Sequence, residues 1–285
     1  MADRSLGRNV HIYGAKDRSK LLGGLMLNNG ITNSNLYSMV EILLLFDSSF
    51  SIENEAAATL ERNEEPLTGG KYYIVGSFTV NNEPCLTRTI SLSTGTRLKS
   101  FRDEVRKRDG RCVITGKIAP GAHHDYWKGF QAAHIIPLAY EGHWVQQKFS
   151  RWITIPAASG DNINSKQNGL LLRSDIHELF DVYDVSINPD DNYKVFHFSY
   201  DGDNIAGKFL DERFRDNPER PPDELFRWHF RQAVLTNMRG AGEPSFEIDF
   251  PPGSDMLSEI REGPKAAERM EFELFSRLAL HEIPL

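Results

Sequence analysis

The sequence predicts an α+β fold, with short strands interleaved with amphipathic helices and a helical last third. Three observations carry this. Up to about residue 95, runs such as NVHIY, GGKYYIVGSFTV and CLTRTISLS have strand character, while NSNLYSMVEILLLF between them has helical spacing. Further on, the apolar runs FQAAHIIP and GLLL are of strand length, and GLLL leads at once into the amphipathic SDIHELFD. Beyond residue 200, DELFRWHFRQAVLTNM and AAERMEFELFSRLALHE both have an apolar helical stripe. The chain thus divides into an N-terminal α+β region (1–97), a central domain (98–200) and a helical C-terminal region (201–285).

In the first region NVHIY is a strand, and the helix over NSNLYSMVEILLLF takes Asn33 or Ser34 as its cap. GGKYYIVGSFTV and CLTRTISLS pair across the turn NNEP, and the acidic ENEAAATLERNEEP is a solvated helix or loop. No internal repeat is present. LTGGKYY lacks the glycine that a phosphate-cradling loop needs ahead of its GK.

The central domain opens with SFRDEVRKRDG, a helix with Ser100 as cap, Phe101 and Val105 on one face and Gly110 as stop. Arg102, Arg106, Lys107 and Arg108 form its exposed basic side. RCVITG reads as a strand and turn, and KIAPGAHHDYWKG as a polar, aromatic loop. FQAAHIIPLAY is a short buried strand with His134 inside it and Pro137 closing it. An irregular stretch over 141–164 follows. GLLL is then a strand or turn, and SDIHELFD a short helix capped by Ser174, with His177 in its first turn. DGDNIAGKFLDERFRDNPERPP reads as a linker, and PSFEIDFPPGSD as an extended loop between the two C-terminal helices.

With 285 residues, 40% of them hydrophobic, the chain has ample material for a core. A net charge of -7 argues against a protein wrapped in nucleic acid, yet allows a local basic patch. Cys85 and Cys112 are too few for a disulfide framework or a four-thiolate zinc site. MADRSLGRNVHIYG lacks the apolar core of a signal peptide, and LYSMVEILLLF is too short for a membrane span and carries Glu41. The expectation is an intracellular protein, cytoplasmic or nuclear, with no signal peptide and no membrane partner.

Three polar residues stand in a telling order: His134 on a strand, Asn168 before the next apolar run, and His177 at the start of a helix. A buried imidazole must find hydrogen-bond partners or bind something. The strings CVITG, AAHIIP and NGLLLRSDIHELFD, in this order between Ser100 and about Ile187, resemble the HNH endonuclease family in the variety common in fungal proteins. The resemblance implies a ββα-metal core, a hairpin carrying His134 and then the helix carrying His177. It implies His134 as general base, Asn168 as an orienting residue and His177 as a metal ligand. Such chemistry needs a group that takes a proton from water and a metal that stabilises charge on the phosphate. A neutral imidazole has the right pKa for the first role. Asp181, four residues after His177, shares its helix face and could fix that imidazole as an acceptor. Arg173 and Arg106 are candidates for gripping phosphate or substrate, and a surface ion pair is the other use of Arg173. Cys112 has no CxxC partner, so the zinc knuckle beside some HNH motifs is absent.

The sequence also departs from the family. Many HNH nucleases carry a metal-binding aspartate, glutamate or histidine immediately before the base, and here that position is Ala133. Related EAAH-like strings place a glutamate where this chain has Gln131, a poor ligand for a hard cation. His123 and His124 lie just upstream, and with His134 and His177 they could form an all-imidazole site suited to copper, iron or zinc. Three expectations therefore stand. The leading one is a nuclease acting on nucleic acid with one divalent ion, magnesium, manganese or zinc. The second is an HNH fold repurposed as a copper, iron or zinc enzyme for a small molecule in fungal metabolism, performing an oxidation or rearrangement. Tyr126, Trp127, Phe130, Tyr140 and Trp144 would line its pocket. The third is a binding module without catalysis. In the ββα reading, His134 and His177 face a common metal or water, with His124 a further ligand where imidazoles complete the shell.

Overall fold

A computed structural model describes residues 4–86, 99–157, 160, 162–243 and 261. The N-terminal elements are β1 (Val10–Gly14), β2 (Leu21–Leu25), α1 (Asn33–Leu43), β3 (Leu44–Phe46), β4 (Ser51–Glu53), β5 (Gly70–Val75) and β6 (Phe78–Val80). Then come α2 (Lys99–Asp109), β7 (Phe130–His134), α3 (Glu141–Gln146), β8 (Gly169–Arg173) and α4 (Ser174–Asp181). β9 (Val185–Asn188), β10 (Lys194–His197), α5 (Glu212–Arg215) and α6 (Asp223–Met238) complete a mixed α+β architecture with small sheets.

β1 sits inside a four-stranded sheet of order β2-β1-β5-β4, parallel to β5 and antiparallel to β2. α1 covers it with Leu36, Met39, Val40 and Leu43, buried at helical spacing. The cap of α1 is Thr32, one residue before the expected Asn33 or Ser34. Its Oγ1 accepts the Asn35 N–H at 3.3 Å, while Asn35 Oδ1 accepts the Thr32 N–H at 3.0 Å. Asparagine thus completes a reciprocal cap of the kind usually closed by Glu or Gln. The end of the apolar run, Leu44–Phe46, leaves the helix and pairs with β6. GGKYYIVGSFTV accordingly splits at Gly76 into β5 and β6, which belong to different sheets. Of ENEAAATLERNEEP, Glu53 ends β4 and the rest is loop. The expected pairing of CLTRTISLS falls on 87–93 and lies largely outside the described residues.

In the centre, β7 and β8 form an antiparallel hairpin from Phe130↔Arg173 to His134↔Gly169. Leu170, Leu171 and Leu172 are all fully buried because both faces of the hairpin are covered, which explains an apolar run without alternation. α2 lies on the face that carries His134 and Gly169. A Cβ at Gly169 would stand 2.6 Å from Phe101 Cζ and 2.8 Å from Val105 Cγ2, so glycine allows this close approach. Gly110, at φ +61°, stops α2 in the left-handed conformation. α4 follows β8 directly. Ser174 is its first residue and not its cap; Arg173 holds the cap position without a side-chain bond.

Two further expectations change. RCVITG makes a turn with a single bridge, Arg111 to Ile118, and no strand. The segment 201–222 is packed chain and not a linker: Ile205, Ala206, Leu210 and Phe214 are buried, and Asp211 caps α5 through the Arg213 N–H at 2.8 Å. Its turn-rich composition hides these four anchors. α6 spans the residues read from its periodicity. The last amphipathic stretch and PSFEIDFPPGSD lie outside the described residues. Among the described residues no helix is long and apolar enough to cross a membrane.

The buried side chains form two cores. One surrounds the hairpin, with Phe101, Ile136, Leu171, Ile176 and Trp144 among its members. The other joins the N-terminal sheet and α1 to Tyr183, Phe196 and Phe198. α6 belongs to both, with Leu225, Phe226 and Trp228 in the first and Phe230, Val234, Leu235 and Met238 in the second.

Candidate functional site

Alternation along β7 sorts the candidate residues by face. Gln131 and Ala133 project to one side, and Phe130, Ala132 and His134 to the other. His177, in the first turn of α4, meets the Gln131 side. Its Nδ1 lies 2.6 Å from Gln131 Oε1, and its Nε2 lies 3.3 Å from Asp181 Oδ2, one helical turn on. The imidazole is buried and held at both ends. Ala133 shares this face of the strand, so both positions where the family carries a carboxylate point to the side of His177.

His134 turns the other way. Its ring stacks on Phe101 of α2, with centroids 3.8 Å apart and planes within 8°. His134 and His177 therefore occupy opposite faces of the hairpin, contrary to the expectation of a common metal or water. The physical reason is the parity of the strand, in which His134 follows Gln131 by three positions, an odd number.

Asn168 is fully buried and serves the backbone. Its Oδ1 accepts the Ile136 N–H at 2.9 Å, and its Nδ2 donates to the carbonyls of Ile136 (3.0 Å) and Ile163 (2.9 Å). It braces the chain as it leaves β7, the alternative to orienting the first imidazole that an asparagine there offers. His123 and His124 are exposed neighbours on one turn, with ring centroids 4.1 Å apart. Among the described residues no group of three or more His, Cys, Asp or Glu is placed to share a metal ion, so His124, His134 and His177 are not gathered.

The basic residues of α2 have different fates. The Arg106 guanidinium lies 5.1 Å from the centroid of the Trp127 ring, and burial, with Arg102 beside it, lowers its pKa. Arg108 is not on the exposed side at all. It pairs with Asp109 at 2.6 Å and donates to the Lys166 and Gly169 carbonyls at 2.7 Å, both side chains being buried. Carbonyls at the start of β8 need donors, and Arg108 supplies them. Arg173 pairs with Asp175 and lies 3.4 Å from Asp203, which places it in an ion-pair network.

Sequence reasoning passed over Gln131 as a weak ligand, although it is the partner that holds His177. The available signal was parity, since residue 131 and not residue 134 shares the face toward a following helix. Phe101 was recognised as apolar, but nothing in the sequence marked it as the stacking partner of His134.

No curated protein and no solved structure matches the chain. Residues 7–81 match a family described as a domain of unknown function (DUF8573). Residues 112–188 match the family described as HNH endonuclease, and this span holds the hairpin, Asn168, α4 and β9. From residue 112 to 188, the chain carries a domain of the HNH endonuclease family.

Proposed function

We propose that the protein is a metal-dependent nuclease in which β7, β8 and α4 form a ββα-metal core that hydrolyses a nucleic-acid phosphodiester. One observation carries the reading: the held imidazole of His177. With its Nδ1–H donated to Gln131 Oε1, Nε2 keeps a lone pair that faces Asp181 Oδ2 at 3.3 Å. Two electron-rich atoms that close in a largely buried place call for a positive charge between them. A divalent cation fits, since two ligand bonds of about 2.1 Å each span that distance.

His177 and Asp181 would hold the ion, and Asp181 supplies from the helix the carboxylate that Ala133 and Gln131 do not supply from the strand. One imidazole with one carboxylate suits magnesium, manganese or zinc better than copper. The bound ion would stabilise charge on the phosphate and on the leaving oxygen. Gln131 fixes the tautomer and orientation of His177. His134, stacked on Phe101 on the opposite face of the hairpin, stands away from these ligands, so no proton transfer at this ion is assigned to it. Arg106 would meet phosphate beside Trp127. The same clamp supports a second reading, in which the positive charge is a proton, His177 and Asp181 are an ion pair, and the domain binds without cutting.

Metal content per chain, measured alongside plasmid nicking, separates the two. The nuclease reading expects a bound divalent ion and nicking in the parent, and the loss of both in His177→Ala and Asp181→Asn. A parent that neither retains nor responds to magnesium, manganese or zinc leaves the binding module standing.

A further inference from the structure

A cavity of about 610 Å³ opens between the turn after α2 and the segment leading into α5, and none of Gln131, His177 and Asp181 lines it. Arg111, Lys208 and Arg213 do line it, and among the described residues none of the three forms an ion pair. Arg108, which also lines it, is paired with Asp109, and elsewhere Arg220 pairs with Asp223 and Arg227 with Asp190. The cavity's own carboxylates are engaged. Asp109 holds Arg108 and accepts the Leu171 N–H at 2.8 Å, and Asp211 caps α5. Asp211 still carries its charge at the rim, which leaves three cations facing one available carboxylate. In a chain of net charge -7, such a surplus is suited to an anion from outside.

The cavity also has an aromatic wall. Phe209 is 49% exposed although it is large and apolar. Lys194 Nζ lies over its ring at 5.7 Å from the centroid, so the exposure belongs to the other face. Phe214, a buried ring, also lines it, with the Arg108 guanidinium 5.6 Å from its ring centroid. A flat apolar face beside several cations is the pairing that holds a nucleotide, base on ring and phosphate on guanidinium and ammonium. The volume suits one such unit.

We propose that this cavity binds a nucleotide, with the base on Phe209 and the phosphate on Arg111, Lys208 and Arg213. The nucleotide is either a free mononucleotide or one unit of a strand. The assignment is independent of the metal site.

Calorimetric titration of the full chain tests it, with adenosine monophosphate and a short single-stranded oligonucleotide as probes. A chelator in the buffer prevents cleavage, so the result is readable whether or not the nuclease reading holds. At least one probe should bind. Phe209→Ala and the double variant Lys208→Ala/Arg213→Ala, all at exposed positions, should each weaken binding about tenfold or more. Lys128→Ala, on a different loop, should not. Binding of the mononucleotide assigns a free ligand, and binding of the oligonucleotide alone assigns a strand. The proposal is overturned if neither probe binds, or if the variants bind as the parent does. It is equally overturned if inorganic phosphate or polyglutamate binds as tightly as the nucleotide with Phe209→Ala without effect.

Discussion

Gln131 shows how much one amide can decide. Its Oε1 lies 2.6 Å from His177 Nδ1, and in the proposed metal site it would fix which ring nitrogen is offered to the cation. Removing such a partner typically lowers metal affinity by 10–100-fold. Gln131→Leu should therefore bind a divalent ion about tenfold more weakly or worse, read by metal titration, and an unchanged affinity would remove its role. His229 illustrates the opposite use of an imidazole. It is stacked on Phe180, with Nδ1 2.8 Å from Ser186 Oγ and Nε2 3.1 Å from the Phe180 carbonyl. Burial pushes its pKa down to about 3. Unfolded, it titrates near 6.5. Between these values the unfolded chain binds the extra proton, so the stability held above pH 6.5 falls as the pH drops, by about 1.4 kcal/mol per pH unit. Burial lowers His143 and His197 in the same direction. Urea midpoints should fall from pH 7.5 to pH 5.5, and less steeply in His229→Gln; equal slopes would contradict the account.

At the scale of elements, the hairpin is pressed between α2 and α4, and Gly169 sets how close α2 can come. A methyl group there meets Phe101 and Val105 within 2.8 Å. Gly169→Ala should cost about 1–3 kcal/mol, as overpacking does, and should displace the ring on which His134 stacks. Chemical denaturation gives the first quantity, and a structure of the variant the second; full stability would mean that α2 shifts freely.

Elements set by local pattern were legible in the sequence. α6 could be read from its apolar spacing, and α2 from Phe101, Val105 and Gly110. β7 and β8 were legible as apolar runs. What local pattern does not carry is direction and partnership. Which face His134 takes depends on the parity of the strand and on α2 packing against Gly169. Asn168 looks the same in sequence whether it meets a ring or two carbonyls. Arg108 reads as one more exposed cation on α2 until the carbonyls of Lys166 and Gly169 come near it. The four anchors in 201–222 are too widely spaced to register as periodic.

At the scale of the whole molecule, the N-terminal region is tied to the rest by more than chain connectivity. Arg4 pairs with Asp184 at 2.6 Å, Arg8 donates to the Gly240 carbonyl at 2.5 Å, and α6 contributes to both cores. A fragment beginning at residue 98 would uncover Phe196, Phe198, Phe230 and Val234. It should be insoluble or lack a cooperative melt, whereas the full chain should unfold in one transition. Circular dichroism on both decides it, and a soluble, cooperatively melting fragment would show the HNH domain to be self-sufficient.

The hairpin that carries His134 is interrupted by residues 135–168, and this has a consequence in time. Closing a loop of that length costs about 2 kcal/mol more entropy than closing a four-residue turn. A two-stranded unit so divided is a poor starting point for folding, because its partners meet only after Trp144 and Phe149 in the connection have found the same core. On the ribosome, the histidine leaves the exit tunnel well before its opposing strand. Refolding should accordingly show a late phase in tryptophan fluorescence, reported by Trp144 and Trp152, that shortening the connection would speed. The pairing of Gln131 with His177 would then arise at the end of folding, and its rate would be set by the connection and not by the strands themselves.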